Sequence, residues 1–257
     1  MKKFFLLFII LTLISCSKDD SHPIKYLKKM TAVYSDGSTL NTFFVYNGDK
    51  MVSMENENTL TEFTYTENLI TSVQKLDKST QEHKTLVYSY ENGFLTQISS
   101  TEGYKLKYTL QNDGSVSYEK WIVNSENEES LVYHGVLTFQ NDNLTSDDIT
   151  FDNTEPHILK KVKKSYDYDT RKSPLSHVLG FQKLLDYGYV TSLNNVLSFT
   201  EESTEKDLIE DTVISESTFD VVTYKYDSDN YPIEMTSNTP YFGDKSLTSV
   251  KTLFFYN

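Results

Sequence analysis

The stretch Val87–Ser100, VYSYENGFLTQISS, decides the fold. It contains two runs in which apolar and polar residues alternate, Val87–Glu91 and Phe94–Ser99, and the dipeptide Asn92-Gly93 lies between them. Alternation with a period of two is typical of a strand with one buried face. Asn-Gly is favoured in two-residue hairpin turns because both residues tolerate positive φ. The stretch therefore predicts a β-hairpin.

Variants of this hairpin recur along the chain. Each begins with an aromatic or aliphatic pair two residues apart, followed by a polar turn and an apolar pair about three residues apart. The opening pairs are Phe44/Tyr46, Phe63/Tyr65, Tyr88/Tyr90, Tyr108/Leu110, Leu137/Phe139, Tyr166/Tyr168, Tyr224/Tyr226 and Phe254/Tyr256. Residues two apart share one face of a strand, so the rings predict one row on one side of a repetitive sheet, where most of them support the sheet.

The number of hairpins predicts an all-β protein, an up-and-down antiparallel meander of roughly 14–16 strands. An open twisted sheet rarely exceeds ~10 strands without curling or closing, and closure removes the exposed edges. Thr, Ser, Lys and Glu alternate with the rings, which makes the other face too polar for lipid. We therefore expect one β-repeat domain over residues 24–257, strongly curved or closed into a soluble barrel.

One segment departs from the strand pattern. Ser173-Pro174 is followed by apolar residues at helical spacing as far as Leu185, and then by Gly188. Ser is favoured as a helix N-cap, Pro at the first helical position and Gly just beyond the end. The pattern predicts one short amphipathic α-helix near 174–187, which covers one end of the sheet or plugs the barrel.

The N-terminus has the pattern of a lipoprotein leader. Two lysines precede the apolar run Phe4–Leu13, which is too short to cross a bilayer as a helix, since that needs ~20 residues. Residues 13–16, LISC, match a lipoprotein box, and Cys16 is the sole cysteine. We predict a signal peptide over residues 1–15, lipidation of Cys16 and a tether over residues 16–23. The alternative is that Cys16 is an ordinary thiol.

Residues 17–20, SKDD, resemble the acidic export tag that follows the lipidated cysteine in surface lipoproteins of the Bacteroidota. This resemblance implies a lipid-anchored protein of the outer membrane, exposed at the cell surface and attached to the membrane through its anchor. The alternative is a plain solvated tether, which leaves the direction in which the protein faces open.

The charge balance excludes one class of partner. The 257 residues carry 24 Lys and Arg against 37 Asp and Glu, a net charge of −13. Loss of Lys2 and Lys3 with the leader makes the balance −15. Because phosphate backbones are bound by clustered basic residues, we expect no nucleic acid partner.

Two passages resemble known repeats. Residues 224–233, YKYDSDNYPI, are similar to the YD repeat of RHS-type β-shell proteins, although the Gly and Arg that precede the return strand there are missing. The lipoprotein box, the YD-like hairpins and the passage from Tyr168-Asp169 to Ser173-Pro174 resemble an uncharacterised family of Bacteroidota lipoproteins. This second resemblance implies a porin-like barrel and no particular activity.

No residue pattern identifies a catalytic site. The five histidines are scattered, no Gly-x-Ser-x-Gly motif is present, and the Asp-rich turns do not fit a calcium loop. We therefore predict no catalytic residues, no metal and no cofactor, and the sequence assigns no binding residues. The favoured function is that of a non-catalytic binding or interaction module on the cell surface, for a glycan or a surface protein partner. The alternatives are a structural scaffold of the envelope and, third, a hydrolase.

Overall fold

The structure, a computed structural model, describes residues 24–239, 241 and 249–257. Within these residues the chain forms seventeen strands and two short 3₁₀ helices. The strands are β1 (Leu27–Tyr34), β2 (Thr39–Asn47), β3 (Lys50–Glu55), β4 (Thr59–Thr66), β5 (Leu69–Asp77), β6 (His83–Glu91), β7 (Phe94–Ser100), β8 (Tyr104–Leu110), β9 (Val116–Val123), β10 (Glu129–Gln140), β11 (Asn143–Phe151), β12 (Ile158–Lys172), β13 (Asn194–Asp207), β14 (Thr212–Val221), β15 (Thr223–Tyr226), β16 (Pro232–Thr236) and β17 (Ser249–Tyr256). The 3₁₀ helices are Phe181–Lys183 and Leu185–Thr191.

The strands form one antiparallel meander that returns on itself, because β17 pairs with β1. β14 and β15 are separated only by Val222, whose N–H donates to the carbonyl of Leu197 at 2.7 Å. β14 pairs with β13 and β15 pairs with β16, so the two segments act as one interrupted strand. Seventeen segments thus behave as sixteen strands, which confirms the predicted all-β meander and its curling into a nearly closed barrel.

The hairpin over Val87–Ser100 forms as predicted. β6 ends at Glu91, β7 begins at Phe94, and the turn between them consists of Asn92 (φ 52°) and Gly93 (φ 77°). Positive φ at both turn residues matches the right-handed twist of the flanking strands. Two-residue connections also join β2 to β3, β4 to β5 and β10 to β11, and in the last of these both turn residues, Asn141 and Asp142, have positive φ.

A β-bulge in the return strand explains the spacing of three. Tyr90 lies opposite Leu95, but the preceding Ser89 lies opposite Gln97, so that Thr96 is an extra residue. The Thr96 hydroxyl donates to the carbonyl of Ser89 at 3.2 Å. An extra residue reverses the alternation, and two positions three apart then face the same side.

The bulge recurs in four other hairpins, where the extra residues are Val52, Thr71, Thr145 and Ile233. It decides which apolar residues of each return strand are buried. In β5 the inward pair is Ile70 and Val73, while Leu69 is only partly buried. In β16 the inward pair is Pro232 and Met235.

The inner face of the barrel is apolar and aromatic, with Leu27, Met51 and Ile98 fully buried. The outer face carries ion pairs, such as those of Lys105 and Lys107 with Glu129, both at 2.7 Å. A polar exterior around an apolar interior is the reverse of the arrangement that lipid requires of a barrel wall. Neither 3₁₀ helix in the described part of the chain is long enough to cross a membrane.

The segment Ser173–Ser192, here called the plug, crosses one end of the barrel. Leu175, Val178, Phe181 and Leu184 are buried in the core of the protein. The predicted departure from the sheet and the plugging role are confirmed. The local form differs, however, because the plug consists of turns and the two 3₁₀ helices rather than one regular α-helix of three turns.

Two features of the plug explain the difference. The Ser173 hydroxyl donates to the carbonyl of Ser192 at 2.8 Å and therefore does not cap a helix. Gly180 has φ 75°, in the left-handed region that interrupts a helix, and a Cβ there would lie 2.8 Å from the carbonyl of Asn68. The backbone of the plug is therefore determined by its contacts with the end of the barrel, and not by the helical spacing of its apolar residues.

The plug closes the end at which the two-residue turns lie. Its Leu179 N–H donates to Asp49 O at 2.9 Å, and Lys183 Nζ donates to Gly93 O at 2.8 Å. We call this the plugged end and the opposite one the loop end. Cys16, the predicted signal peptide and the predicted tether lie outside the described residues.

Candidate functional site

Asp147 occupies an inward position that the other bulged hairpins give to an apolar residue. In β11 the bulge at Thr145 places Leu144 and Asp147 on the inner face, as the bulge at Thr96 does for Leu95 and Ile98. Leu144 is buried like its counterpart, but a carboxylate stands where β7 has Ile98. The repeat itself carried this signal, because it predicts an apolar residue three positions after Leu144.

Asp147 is fixed by a tyrosine of β9, which is separated from β11 by β10. The Tyr118 hydroxyl donates to its Oδ1 at 2.7 Å. Burial raises the pKa of Asp147, although the Tyr118 hydrogen bond and the nearby Lys164 oppose this. Lys164 also lies 3.6 Å from a carboxylate oxygen of Glu201 and is therefore shared between two acids.

Gly135 makes room for the ring of Tyr118. A Cβ at Gly135 would lie 2.6 Å from that ring and 2.8 Å from the carbonyl of Asp148. The two residues are directly opposite in the pairing of β9 and β10. Without a side chain at Gly135 the tyrosine can lie flat on the strand and reach Asp147.

The second carboxylate, Asp186, comes from the plug. It accepts a hydrogen bond from the Tyr88 hydroxyl at 2.9 Å. Its side chain is solvent-exposed although it is surrounded by the barrel, because it faces a cavity inside the ring of strands. The surrounding protein nevertheless raises the pKa of Asp186 to about 6. Within the described residues no Lys, Arg or His forms an ion pair with it.

The two carboxylates line one interior cavity of ≈ 250 Å³. Six tyrosines share its wall: Tyr108, Tyr118, Tyr133, Tyr166, Tyr187 and Tyr189. Leu106, Leu137, Leu144, Ile149, Lys164, Leu185 and Gly188 complete the lining. Several of these side chains are partly exposed, so solvent enters the cavity. Among the described residues the plug covers one end of the barrel, so the cavity opens toward the loop end.

A larger hollow of ≈ 390 Å³ lies on the outer surface and includes Phe43, Glu55 and Lys78. Lys78 Nζ binds the Glu55 carboxylate at 2.6 Å and also the carbonyl of Asn56 at 2.6 Å. Lys78 and Glu55 thus neutralise each other in contact with water. The interior cavity is the better candidate site, because its carboxylates are enclosed and one has no cationic partner in the described residues.

A network of asparagines fixes the end of the plug. The side chains of Asn143 and Asn194 are hydrogen-bonded at 2.9 Å, and Asn143 Oδ1 also accepts the N–H of Asn194 at 2.9 Å. Asn195 Nδ2 donates to the carbonyls of Arg171 and Lys172, both at 3.2 Å. The network joins the start of β13, which follows the plug, to β11 and to the end of β12.

The sequence did not single out Asp147 or Asp186. Most rings of the predicted aromatic row pack in the core, and the row also supplies Tyr108 and Tyr166 to the cavity. Among the described residues, no three or more His, Cys, Asp or Glu side chains form a group that could hold a metal ion.

The barrel and its plug define the class of fold, which is porin-like. The chain matches a porin-like protein from Bacteroides vulgatus ATCC 8482 with a TM-score of 0.57 and 13% identity, over 91% of this chain and 99% of that one. A porin-like protein from Bacteroides uniformis ATCC 8492 matches with a TM-score of 0.49 and 8% identity, over 89% and 96% of the two chains. No family model and no curated protein matches the sequence. At such identities the likeness concerns the fold.

Proposed function

We propose that this chain is a non-catalytic, lipid-anchored protein of the outer membrane that faces the outside of the cell and binds a small ligand inside its barrel. The observation that carries the proposal is the solvent-reached cavity between Asp147 on the wall and Asp186 on the plug. A glycan is the ligand class suggested by the cell-surface address.

The cost of the two carboxylates supports a role in binding. Enclosure in protein disfavours a charged carboxylate, and the raised pKa values of Asp147 and Asp186 reflect that cost. The equivalent inward position in β7, Ile98, is apolar and fully buried. Groups that are kept at a cost to stability are typical of functional sites.

The position of Lys25, near the start of the described residues, supports an orientation. Lys25, just before β1, binds Asp227 at 2.7 Å and Asp229 at 2.6 Å in the β15–β16 turn. That turn belongs to the plugged end, because the ring of Tyr231 contacts His177 of the plug. A fully extended chain from Cys16 to Lys25 reaches roughly 30 Å. A lipid at Cys16 would therefore keep the plugged end near the membrane and direct the cavity outward.

Replacement of Cys16 tests the anchor. In cells fed a labelled fatty acid, the native chain should incorporate label and fractionate with the outer membrane, since several acyl chains give durable attachment. Cys16→Ala should lose the label and the attachment. If Cys16→Ala stays fully membrane-bound, the anchor is wrong. Protease access on intact cells then distinguishes outward from inward orientation.

Native mass spectrometry tests the binding site. The full chain, solubilised in mild detergent, is incubated with a metabolite extract and a glycan library, and the retained mass is recorded. Ile149→Trp fills the cavity from an inward position on β11 and should abolish retention. Val136→Trp, on the outer face of β10, is the control and should retain the same masses. Equal retention by Ile149→Trp would place binding elsewhere.

Glycoside hydrolysis is the second candidate, because a cavity with two carboxylates is what such enzymes require. Chromogenic glycosides provide the test. Turnover that disappears in both Asp147→Asn and Asp186→Asn would replace the binding proposal by this one. Absence of turnover in the native chain, together with retention of a ligand, supports binding.

A protein partner would be served by a different surface. The β13–β14 hairpin exposes apolar side chains on both faces, namely Leu208, Ile209, Val213, Ile214, Phe219 and Val221. Exposed apolar clusters of this kind often mark interaction surfaces. Cross-linking on intact cells should capture a partner with the native chain but not with Ile214→Lys, while Leu110→Lys on the barrel wall serves as control. Identical capture by both variants would rule out the hairpin.

A further inference from the structure

The charged side chains around the cavity restrict the class of ligand that it can bind. Asp147 shares Lys164 with Glu201, which lies 3.6 Å from the ammonium group. Asp186 accepts hydrogen bonds from the neutral Tyr88 hydroxyl and from its own backbone N–H, and it has no ion pair within the described residues. The residues that line the cavity therefore carry two carboxylates against one ammonium group, in surroundings where a charge interacts more strongly than it does in bulk water.

The lining also favours an organic cation over a metal ion. Calcium needs six to eight oxygen ligands and magnesium a nearly ideal octahedron, whereas this lining offers two carboxylates among fifteen residues, eleven of which are tyrosine, leucine or isoleucine. The faces of aromatic rings attract ammonium groups, and aromatic cages bind such ligands in water-excluding sites.

The protein already shows this interaction near the cavity. The ammonium group of Lys120 lies 4.7 Å from the ring centre of Tyr104 and 5.6 Å from that of Tyr133. Tyr133 is part of the cavity wall. Farther inside, Tyr108 and Tyr187 line the same space as Asp186, and the negative charge of Asp186 acts on both.

We infer that the cavity binds a small organic ammonium ion, with its nitrogen at the Asp186 carboxylate and its carbon skeleton against Tyr108 and Tyr187. The inference rests on the proposed binding function and specifies its ligand. A volume of ≈ 250 Å³ is slightly below the range of ordinary ligand pockets, ~300–1,000 Å³, which favours a compact amine over an oligosaccharide.

Charged and uncharged ligands of the same shape provide the test. Calorimetric titration of the full chain in mild detergent would compare phenethylamine with 2-phenylethanol and phenylacetate, choline with 3,3-dimethylbutan-1-ol, and glucosamine with glucose. We expect at least one amine to bind at least about tenfold more tightly than its uncharged partner, because only the amine offers a positive charge. Phenylacetate should not bind.

Variants identify the carboxylate that binds the ammonium group. Asp186→Asn should weaken amine binding at least about tenfold and reduce the preference over the alcohol. Asp148→Asn removes a carboxylate next to Asp147, but on the outer face, where it lies 3.9 Å from Lys163. It should leave the affinity unchanged. Ile149→Trp should abolish binding of every ligand.

Three results would overturn the inference. Equal affinity for amine and alcohol, or an unchanged preference in Asp186→Asn, would show that charge is not recognised. Calcium chloride that binds in place of the amines would identify a metal site. In each of these cases a ligand still bound in the cavity, and lost in Ile149→Trp, leaves the proposed function standing. Failure of the extract, the glycans and the amines alike to bind would remove both proposals.

Discussion

The hairpins β6–β7 and β10–β11 have the same local design but different interiors. Both have a two-residue turn with positive φ, and both carry a bulge whose threonine hydroxyl donates to the opposite strand, Thr96 to Ser89 and Thr145 to Thr138. One then places Ile98 inward, fully buried, and the other places Asp147 beside a cavity. The bulged hairpin determines the direction in which a side chain points. The type of residue at that position then decides whether the side chain packs in the core or lines the candidate site.

The largest effects should come from exchanging these two residues. Ile98→Asp places a carboxylate at a fully buried position of the hydrophobic core, and it should cost about 4 kcal/mol or more, or prevent folding. Ile98→Ala can be measured even if Ile98→Asp does not fold, and it should lower the free energy of unfolding by about 2–5 kcal/mol. Asp147→Ile should change the free energy of unfolding by less than about 1 kcal/mol, because it removes a charge as well as a hydrogen bond. Urea titration measures all three.

Similar losses in Ile98→Ala and Asp147→Ile would show that the two positions are equally part of the core. The contrast between the two hairpins would then be wrong.

The next largest loss of stability should come from replacing Gly135 of β10, whose role has no equivalent in the hairpin β6–β7. Gly135→Ala should cost roughly 1–3 kcal/mol, because the new methyl group overlaps the Tyr118 ring and the carbonyl of Asp148. Near-ultraviolet circular dichroism should report the displaced tyrosine. Val136→Ala, the outward neighbour, is the control and should leave that signal unchanged. If Gly135→Ala changes neither the free energy of unfolding nor the circular dichroism signal, the strands move apart easily here.

The pH dependence of Asp186→Asn sharpens the contrast between core and cavity. The pKa of Asp186 is raised from 3.8 to about 6, so the folded state binds its proton more tightly than the unfolded state does. That contribution to stability is complete below about pH 3.8 and is lost as the pH rises through about 6. The hydroxyl groups of Tyr88, Tyr108 and Tyr187 around it stay neutral over this range, since their pKa values are raised above 10.

Asp186→Asn should therefore raise the melting temperature at pH 7.5 and have little effect at pH 3.5. Contact of the carboxylate with cavity water reduces the gain to roughly 1 kcal/mol, or about 2–4 °C for a chain of this size. Asp148→Asn, on the outer face, is the control and should lack this pattern. A melting temperature of Asp186→Asn that falls at pH 7.5 would mean that a cation already compensates the charge.

The smallest effects should come from the outward residues of the two hairpins. Val87 and Val136 precede inward residues of β6 and β10, and they are 49% and 38% exposed. Val87→Thr and Val136→Thr should each change the free energy of unfolding by less than about 0.5 kcal/mol. A large loss at either position in urea titration would show that part of the outer face is covered by another surface.

The sequence predicted the fold because its main signals are local. Turn dipeptides such as Asn92-Gly93 and the alternating rings depend on neighbouring residues alone, and the need to remove edges turns so many hairpins into a closed ring. The sequence also predicted where the plug lies in the chain and that it covers one end of the sheet or plugs the barrel. The short helix was expected as one run of about three turns, and the structure has two short 3₁₀ helices instead, because contacts with the barrel end at Asn68, Asp49 and Gly93 determine the backbone.

Half of the candidate site was also present in the sequence. Asp147 breaks the apolar spacing of the bulged hairpins, and a register-aware comparison of the repeats would have found it. Asp186 carries no such signal, since it lies in an irregular segment whose direction depends on how the plug enters the barrel. The sequence by itself determined a repetitive sheet that must close. Tertiary structure alone decided that two distant carboxylates and six tyrosines line one cavity, because closure brings together residues that share no local pattern.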